Sequence, residues 1–208
     1  MRNLAKSTLL AISISALFVA CSDKKDANKS NFKTAINSYI DKKCIDIGSM
    51  YSFPLEIENN AFKKDELSRL GSLEKVGLLK STSKQIKDKY SRVSKLVDGF
   101  EYELTDLGKQ AFVEEDNRYG GGKYLKLCAG KYKVTEVTNF TEPSDMFGVK
   151  ISQVNFKKEA IDVPAWAFEL VKEKEFEYAN KRISKDIEDD IVLILTNDGW
   201  VTEKEFKK

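Results

Sequence analysis

The 208-residue sequence contains no histidine. This absence excludes a Ser-His-Asp or Cys-His nucleophile system, an H-E-x-x-H zinc site and a three-His metal site, because each of them needs an imidazole. Cysteine is also scarce, and Cys21, Cys44 and Cys128 form no C-x-x-C pair. The sequence therefore predicts neither a zinc ribbon nor a thioredoxin-like motif, and we expect a protein that is not an enzyme and uses no metal or cofactor.

Phosphate-binding chemistry is poorly represented as well. The triple glycine at 120–122 precedes Lys123, but Asn117 stands where the first P-loop glycine would lie. Tyr124 replaces the Ser or Thr that the P-loop motif requires. We interpret this segment as a flexible turn.

Acidic residues cluster at 114–116 and 188–190. Paired carboxylates could hydrolyse glycosides or hold calcium, but acid–base work needs a pair whose pKa values are separated, and clusters this polar are usually solvated. Neither cluster matches the EF-hand pattern. We interpret both as charged loops or helix ends, and a carboxylate-dependent hydrolase is kept as an alternative function.

The N-terminus has the parts of an export signal. Arg2 and Lys6 form a basic start, and residues 7–19 are an uncharged, mainly apolar stretch. Such a stretch is too short for a permanent transmembrane helix, which needs roughly 20 apolar residues. Residues 1–20 are therefore predicted to be a cleavable signal peptide.

The end of this signal, LFVAC, resembles the lipobox of bacterial lipoproteins, although Phe18 departs from the usual Leu, Val or Ile. The resemblance implies that Cys21 is lipidated on sulfur, becomes the new N-terminus and attaches the protein to the membrane. Multiple acyl chains hold a protein firmly. The alternative is an ordinary secretory signal with a chance cysteine.

The next residues, 21–30, are polar and predict a solvated tether. Ser22 after the cysteine implies, by the same resemblance, an outer-membrane protein facing the periplasm. The signal holds two of the 35 basic residues and none of the 33 acidic ones, so the mature chain has 33 of each sign. Nucleic acid is therefore not an expected partner, because binding to phosphate backbones needs a basic surplus.

Cys44 and Cys128 are expected to form an intramolecular disulfide. Export would place them in an oxidising compartment, and lipidation of Cys21 would leave them as the one possible pair. A loop closed over 84 positions would stabilise the fold by roughly 4 kcal/mol in the chain-entropy model. Two buried thiols are the alternative.

Hydrophobic periodicity predicts the elements of the first half, residues 31–116. The first are a helix at 31–43 capped by Ser30 or Asn31 and an extended segment at 50–57. A second helix follows from Asp65 and is stopped by Gly77, and a strand is expected at 78–79. The last are a hairpin within 93–104 that turns at Asp98-Gly99 and a short helix that Thr105 caps.

Two stretches here, LSRLGSLEKVGLLKS and FEYELTDLGKQAF, resemble the winged-helix domain over roughly residues 62–113. In that family the helix before G-L-L usually enters the major groove of DNA. Here the corresponding helix carries Asp65, Glu66 and Glu74 against Arg69 and Lys75. This balanced charge and the export signal argue against a DNA-binding function.

The second half, residues 117–208, is predicted to be mainly β. We expect a three-strand meander from 124 to 161 that bends at Ala129-Gly130. A helix should start at Pro164, and its charged continuation at 172–189 is expected to be a mobile or surface-lying helix. A buried strand at 191–195 should then turn at 197–199 into Trp200. The predicted fold is thus α+β, with an N-terminal helix and winged-helix-like segment packed on a C-terminal antiparallel meander with a helix and a final hairpin.

Six aromatic residues of this half could line a cleft or belong to the core, and we favour the core: Tyr124, Tyr132, Phe140, Phe156, Trp166 and Trp200. The segments YLKLCAGKYKVTEVTNFTEP and VNFKKEAIDVPAWA also resemble exported accessory proteins of carbapenem gene clusters, which implies a protective accessory role. The leading hypothesis is a non-catalytic envelope lipoprotein that binds an envelope protein or a small ligand.

Overall fold

The computed structural model describes residues 23–50, 52–88, 95–116, 122–146 and 148–206. The predicted signal peptide, Cys21 and most of the triple-glycine turn lie outside these ranges. The described residues form an α+β fold with antiparallel sheets, which confirms the predicted class. None of the described helices is long and apolar enough to cross a membrane.

Within the described ranges, the α-helices are α1 (Lys29–Ile40), α2 (Lys64–Lys75), α3 (Asp106–Ala111) and α4 (Ala165–Leu170), and 3₁₀ helices cover Ala61–Lys63 and Lys174–Ile183. The strands are β1 (Asp46–Met50), β2 (Leu55–Glu58), β3 (Leu79–Lys87), β4 (Leu96–Leu104), β5 (Phe112–Asp116), β6 (Lys123–Cys128), β7 (Lys131–Phe140), β8 (Ser144–Met146), β9 (Val149–Ile161), β10 (Ile187–Thr196) and β11 (Gly199–Thr202). They pair as three antiparallel sheets in the orders β1-β6-β5, β2-β4-β3 and β11-β10-β9-β7, with β8 on β9.

Helix α1 packs on the third sheet and forms what we call the α1 core. Its buried residues are Phe32, Ala35, Ile36, Ile40, Val134, Val137, Val154, Phe156, Ile191, Leu193 and Trp200. The Phe32 ring meets Phe140 and Trp200 edge-on, with centroids 4.9 and 4.8 Å apart. The predicted first helix is confirmed, but its N-cap is Asn28, whose side chain accepts from the Asn31 N–H.

A second cluster, the central core, collects side chains from most other elements. Its buried residues are Ile45, Ile47, Ile57, Leu70, Leu73, Leu78, Leu79, Tyr102, Ala111, Phe112, Leu127, Ala129, Ala167, Leu170, Val171, Phe176, Ala179 and Ile183. The prediction of a mobile or surface-lying helix at 172–189 was wrong. The chain forms 3₁₀ turns over Lys174–Ile183, buries Phe176, Ala179 and Ile183, and enters β10 at Ile187.

The predicted meander is present without its first strand. Strands β7, β9, β10 and β11 follow one another in the third sheet, whereas β6 pairs with β1 and β5. The bend at Ala129-Gly130 moves the chain between sheets instead of closing a hairpin. Its backbone is held by Ile45, which donates to Gly130 O and accepts from Ala129 N, both at 2.9 Å.

The hairpin predicted at Asp98-Gly99 was also wrong, because β4 continues through both residues. Gly99 lies opposite Lys84 of β3 and Glu58 of β2. A Cβ atom on Gly99 would lie 2.6 Å from Ile86 Cδ1 and 2.7 Å from the Ile57 carbonyl oxygen. Close packing against both neighbouring strands therefore explains why residue 99 is a glycine. The helix ends are as predicted: Gly77 follows α2 with φ +80°, and Thr105 caps α3.

The predicted boundary between residues 116 and 117 does not separate the two cores. Helix α1 belongs with the C-terminal sheet, whereas β6 and residues 165–183 belong to the central core. Tyr132 packs against both cores, and its hydroxyl donates to the Arg182 carbonyl at 2.9 Å. The cores are therefore interleaved along the chain.

The expected disulfide is confirmed. Cys44 and Cys128 are bonded with an S–S distance of 2.03 Å, and their Cα atoms are 5.4 Å apart. Helix α1 ends at Ile40, so Cys44 lies beyond the helix in the segment that leads into β1. The bond joins this segment to the end of β6, where the α1 core meets the central core.

Candidate binding groove

A groove of about 630 Å³ lies between the end of α2 and the face of α4. Its lining residues are Lys75, Val76, Ala165, Trp166, Glu169, Lys172 and Glu173. They come from two segments about 90 positions apart in the sequence, which the central core brings together. We call it the Trp166 groove.

Local sequence features position both walls. Pro164, with φ −71° and ψ 152°, precedes α4 and starts the helix, since its fixed φ suits a helix start. Ala167 and Leu170 of α4 are fully buried. Trp166 is half-buried, packs against the central core and also lines the groove. The indole is thus held in place by the core on one side and available to a ligand on the other.

The charged residues of the groove are paired. Lys75 Nζ lies 2.5 Å from Glu173 Oε1, and Lys172 Nζ lies 2.7 Å from Glu169 Oε1. The hydrogen bond from Lys75 to Glu173, followed by their charge attraction, raises the pKa of the Lys75 ammonium. The rim holds two lysines and two glutamates, so its formal charges sum to zero.

A hydrogen-bond network fixes the segment that supplies Glu173. The carboxylate of Glu175 accepts from Ser68 Oγ at 2.5 Å and from Ser72 Oγ at 3.2 Å. The bond from Ser68 is the main reason that the pKa of Glu175 is lowered. Because both serines are on α2, Glu175 ties the 3₁₀ helix Lys174–Ile183 to the wall opposite α4.

The described lining of the groove offers apolar and charged groups for binding. The lining residues that the structure describes include no Ser, Thr or Cys, and Glu169 and Glu173 are each paired with a lysine. An indole face beside apolar Val76 and Ala165 suits an apolar or aromatic group, and the charged rim suits polar groups around it. The arrangement supports binding of a ligand that has an apolar group surrounded by polar groups.

The acidic clusters singled out in the sequence are in strands β5 and β10, so the prediction of loops or helix ends was wrong for them. Glu114 pairs with Lys123 and Glu115 with Lys126, each at 2.7 Å. Successive residues of a strand point to opposite faces, so Glu114 and Glu115 lie on opposite faces of the sheet.

The second acidic cluster borders a groove of about 350 Å³. Its residues Glu188, Asp189 and Asp190 line that groove with Thr138, Asn155 and Phe156. Asp189 is paired with Lys158 across the sheet. The part of the chain that the structure describes has no group of three or more Cys, Asp or Glu side chains placed to hold a metal ion.

Three of the six aromatic residues that were expected in the core show how far that expectation holds. Trp200 and Phe156 are buried, as expected for core residues, whereas Trp166 lines the groove. Sequence reasoning missed Lys75, Glu169 and Glu173 as groove residues. The start of α4 at Pro164 was a usable signal for Trp166, but no local pattern pairs α2 with residue 173.

Comparison with protein families, curated proteins and solved structures finds no match to the chain. Its own residues therefore carry the functional proposal.

Proposed function

We propose that the chain is a non-catalytic lipoprotein of the bacterial envelope, attached through Cys21, that binds another envelope protein in the Trp166 groove. The observation that carries this proposal is the half-buried indole of Trp166 within a rim of charge-paired residues. An apolar centre surrounded by polar residues is the usual anatomy of a protein interface, and tryptophan is enriched among the residues that dominate binding energy.

The neutral balance of the rim favours a protein segment of mixed charge over a polyanion. Phe168, on the same helix α4 as Trp166, is half-exposed and adds an apolar side chain to the surface. A groove of about 630 Å³ also falls within the range of small-ligand pockets, so a small ligand is the competing occupant.

The membrane attachment is supported by the sequence of the signal and by the disulfide. A basic start, an apolar stretch and the lipobox-like LFVAC precede Cys21. The Cys44–Cys128 bond suits a protein that resides in an oxidising compartment such as the periplasm. Ser22 supports sorting to the outer membrane.

Loss of the lipid should be visible directly. Labelled palmitate is expected to enter the wild type and not Cys21→Ala, and the variant should either be released from the membrane or stall before processing. Labelling of the variant, or none in the wild type, would contradict the attachment.

The groove is tested by capturing partners of the lipidated protein from native membranes and measuring the affinity of the captured protein after purification. Trp166→Ala should weaken binding by at least about 30-fold, as expected when a dominant interface residue is truncated. Phe62→Ala is the matched control, because this side chain is 98% exposed and is not a groove residue.

Unchanged affinity in Trp166→Ala would remove the groove as the binding site. Binding of a small molecule that quenches Trp166 fluorescence, with no protein partner that depends on Trp166, would favour the competing occupant.

A further inference from the structure

The described residues that follow Cys21 are folded onto the domain, in contrast to the predicted tether over 21–30. Residues 23–26 form a turn in which Asp26 N donates to Asp23 O at 2.9 Å. The Asn31 side-chain amide of α1 donates to the carbonyl oxygens of Asp23 at 2.7 Å and Asp26 at 3.0 Å. Asn28 then caps α1.

This N-terminal segment is also fixed to the final hairpin. Trp200 Nε1 donates to the carbonyl oxygens of Lys25 at 3.1 Å and Asp26 at 3.2 Å. A Cβ on Gly199 would lie 3.1 Å from the Lys24 carbonyl oxygen, so the two backbones are in close contact. Trp200 is only 6% exposed and belongs to the α1 core. The segment is thus attached to a buried side chain.

The covalent chain leaves little distance between this segment and Cys21. One residue, Ser22, separates Cys21 from Asp23. Two Cα-to-Cα steps span at most about 7 Å. A lipid attached to Cys21 would therefore hold the domain at its surface, at the N-terminal end of α1.

We propose that the domain rests directly on the membrane surface, with the β10–β11 turn and the start of α1 facing the lipid headgroups and the central core directed away. The proposal rests on lipidation of Cys21. Helix α1 has 12 residues and spans about 18 Å. The packed N-terminal segment lies at one end of α1, and Cys44, where the central core begins, follows the other.

The charges at the anchored end suit this placement. Lys24, Lys25 and Lys29 are exposed there, beside Asp23 and Asp26. Lysines near an anionic membrane surface are attracted to it, and the two aspartates offset part of that attraction. The acyl chains supply the main attachment, and the short connection sets the orientation.

The two tryptophans report on opposite ends of this arrangement. Trp200 contacts the anchored segment, whereas Trp166 lies in the groove of the central core. We would reconstitute lipidated protein in vesicles of phosphatidylethanolamine and phosphatidylglycerol with a dansyl-labelled headgroup lipid. Trp166→Phe retains Trp200 as the donor, and Trp200→Phe retains Trp166.

Energy transfer to the headgroups is expected to be several-fold stronger from Trp200 than from Trp166. Insertion of ten Gly and Ser residues between Ser22 and Asp23 should remove most of the Trp200 transfer, since such a linker adds about 17 Å of root-mean-square reach. The insertion is made in Trp166→Phe, which keeps the Trp200 contacts, so the result holds even if Trp200→Phe fails to fold.

Equal transfer from both tryptophans, or no effect of the insertion, would overturn this orientation in a protein that carries palmitate. Lack of palmitate in the vesicle-bound protein would overturn the lipidation, and the orientation with it.

Discussion

The two cores of the molecule are built in different ways. The α1 core is one helix on one sheet, and its residues follow the simple periodicities of an amphipathic helix and alternating strands. The central core draws single short elements from positions 45 to 183 and includes a 3₁₀ helix. A regular core and an irregular core therefore share one chain, and the segments that build them alternate along the sequence.

The interleaving has a consequence for stability. Neither core is complete without a segment from the other end of the chain, and the disulfide lies at their junction. The Tyr132 side chain packs against both cores. We therefore expect the described domain to unfold as one cooperative unit.

Truncating one large buried ring in each core tests this unity. Phe32 and Phe176 are each 0% exposed, one in the α1 core and the other in the central core. Phe32→Ala and Phe176→Ala should each lower the free energy of unfolding by about 3–5 kcal/mol and leave a single transition. Denaturant unfolding followed by both far-ultraviolet and near-ultraviolet circular dichroism measures this free energy and the number of transitions. Two separated transitions in either variant would show that the cores unfold independently.

Removal of the disulfide should have the next largest effect. Reduction, or the double substitution Cys44→Ser and Cys128→Ser, is expected to cost about 2–4 kcal/mol, because the cross-link restricts the unfolded chain. Thiol counting on denatured, unreduced mature protein should find no free thiol, and thermal unfolding with and without reductant gives the loss. Two free thiols, or the same stability after reduction, would contradict this expectation.

The sequence predicts the α1 core better than the central one. The spacing of Phe32, Ile36 and Ile40 gives α1, and the apolar run Ile191–Leu195 followed by Asn197-Asp198-Gly199 gives the final hairpin. These signals are local, so they can be seen in a single sequence.

The central core depends on contacts between distant segments. The polar composition of 174–183 conceals Phe176, Ala179 and Ile183, whose burial needs α2 and β1 as neighbours. The Trp166 groove has the same origin, since Lys75 and Glu173 meet only in the folded chain. The lipidation of Cys21 stays a prediction.

Gly99 provides a sharper test of how the second sheet is built. Gly99→Ala should destabilise the protein by about 1–3 kcal/mol, because a methyl group would overlap Ile86 and the Ile57 carbonyl. Gly71→Ala is the matched control: no atom lies within 4 Å of its added Cβ, and alanine favours helix α2 by about 1 kcal/mol. Opposite shifts in the midpoint of urea unfolding are expected, and a tolerated Gly99→Ala would contradict the packing at this position.

The smallest expected effect concerns Glu175, which links α2 to the 3₁₀ helix of the central core. Since the hydrogen bonds of Ser68 and Ser72 favour the carboxylate, the pKa of Glu175 in the folded protein lies below its ordinary value of 4.5. The charge therefore contributes stability that is complete above pH 4.5 and is lost as the pH falls through the lower folded-state pKa.

Glu175→Gln keeps an acceptor oxygen but removes the charge that strengthens both bonds. Its melting temperature should be lower than that of the wild type at pH 7, and the difference should shrink as the solution is acidified below pH 4.5. Glu177→Gln, an exposed neighbour on the same 3₁₀ helix, is the control. A difference that is the same at pH 7 and at about pH 3 would show that the carboxylate charge plays no part in joining the two elements.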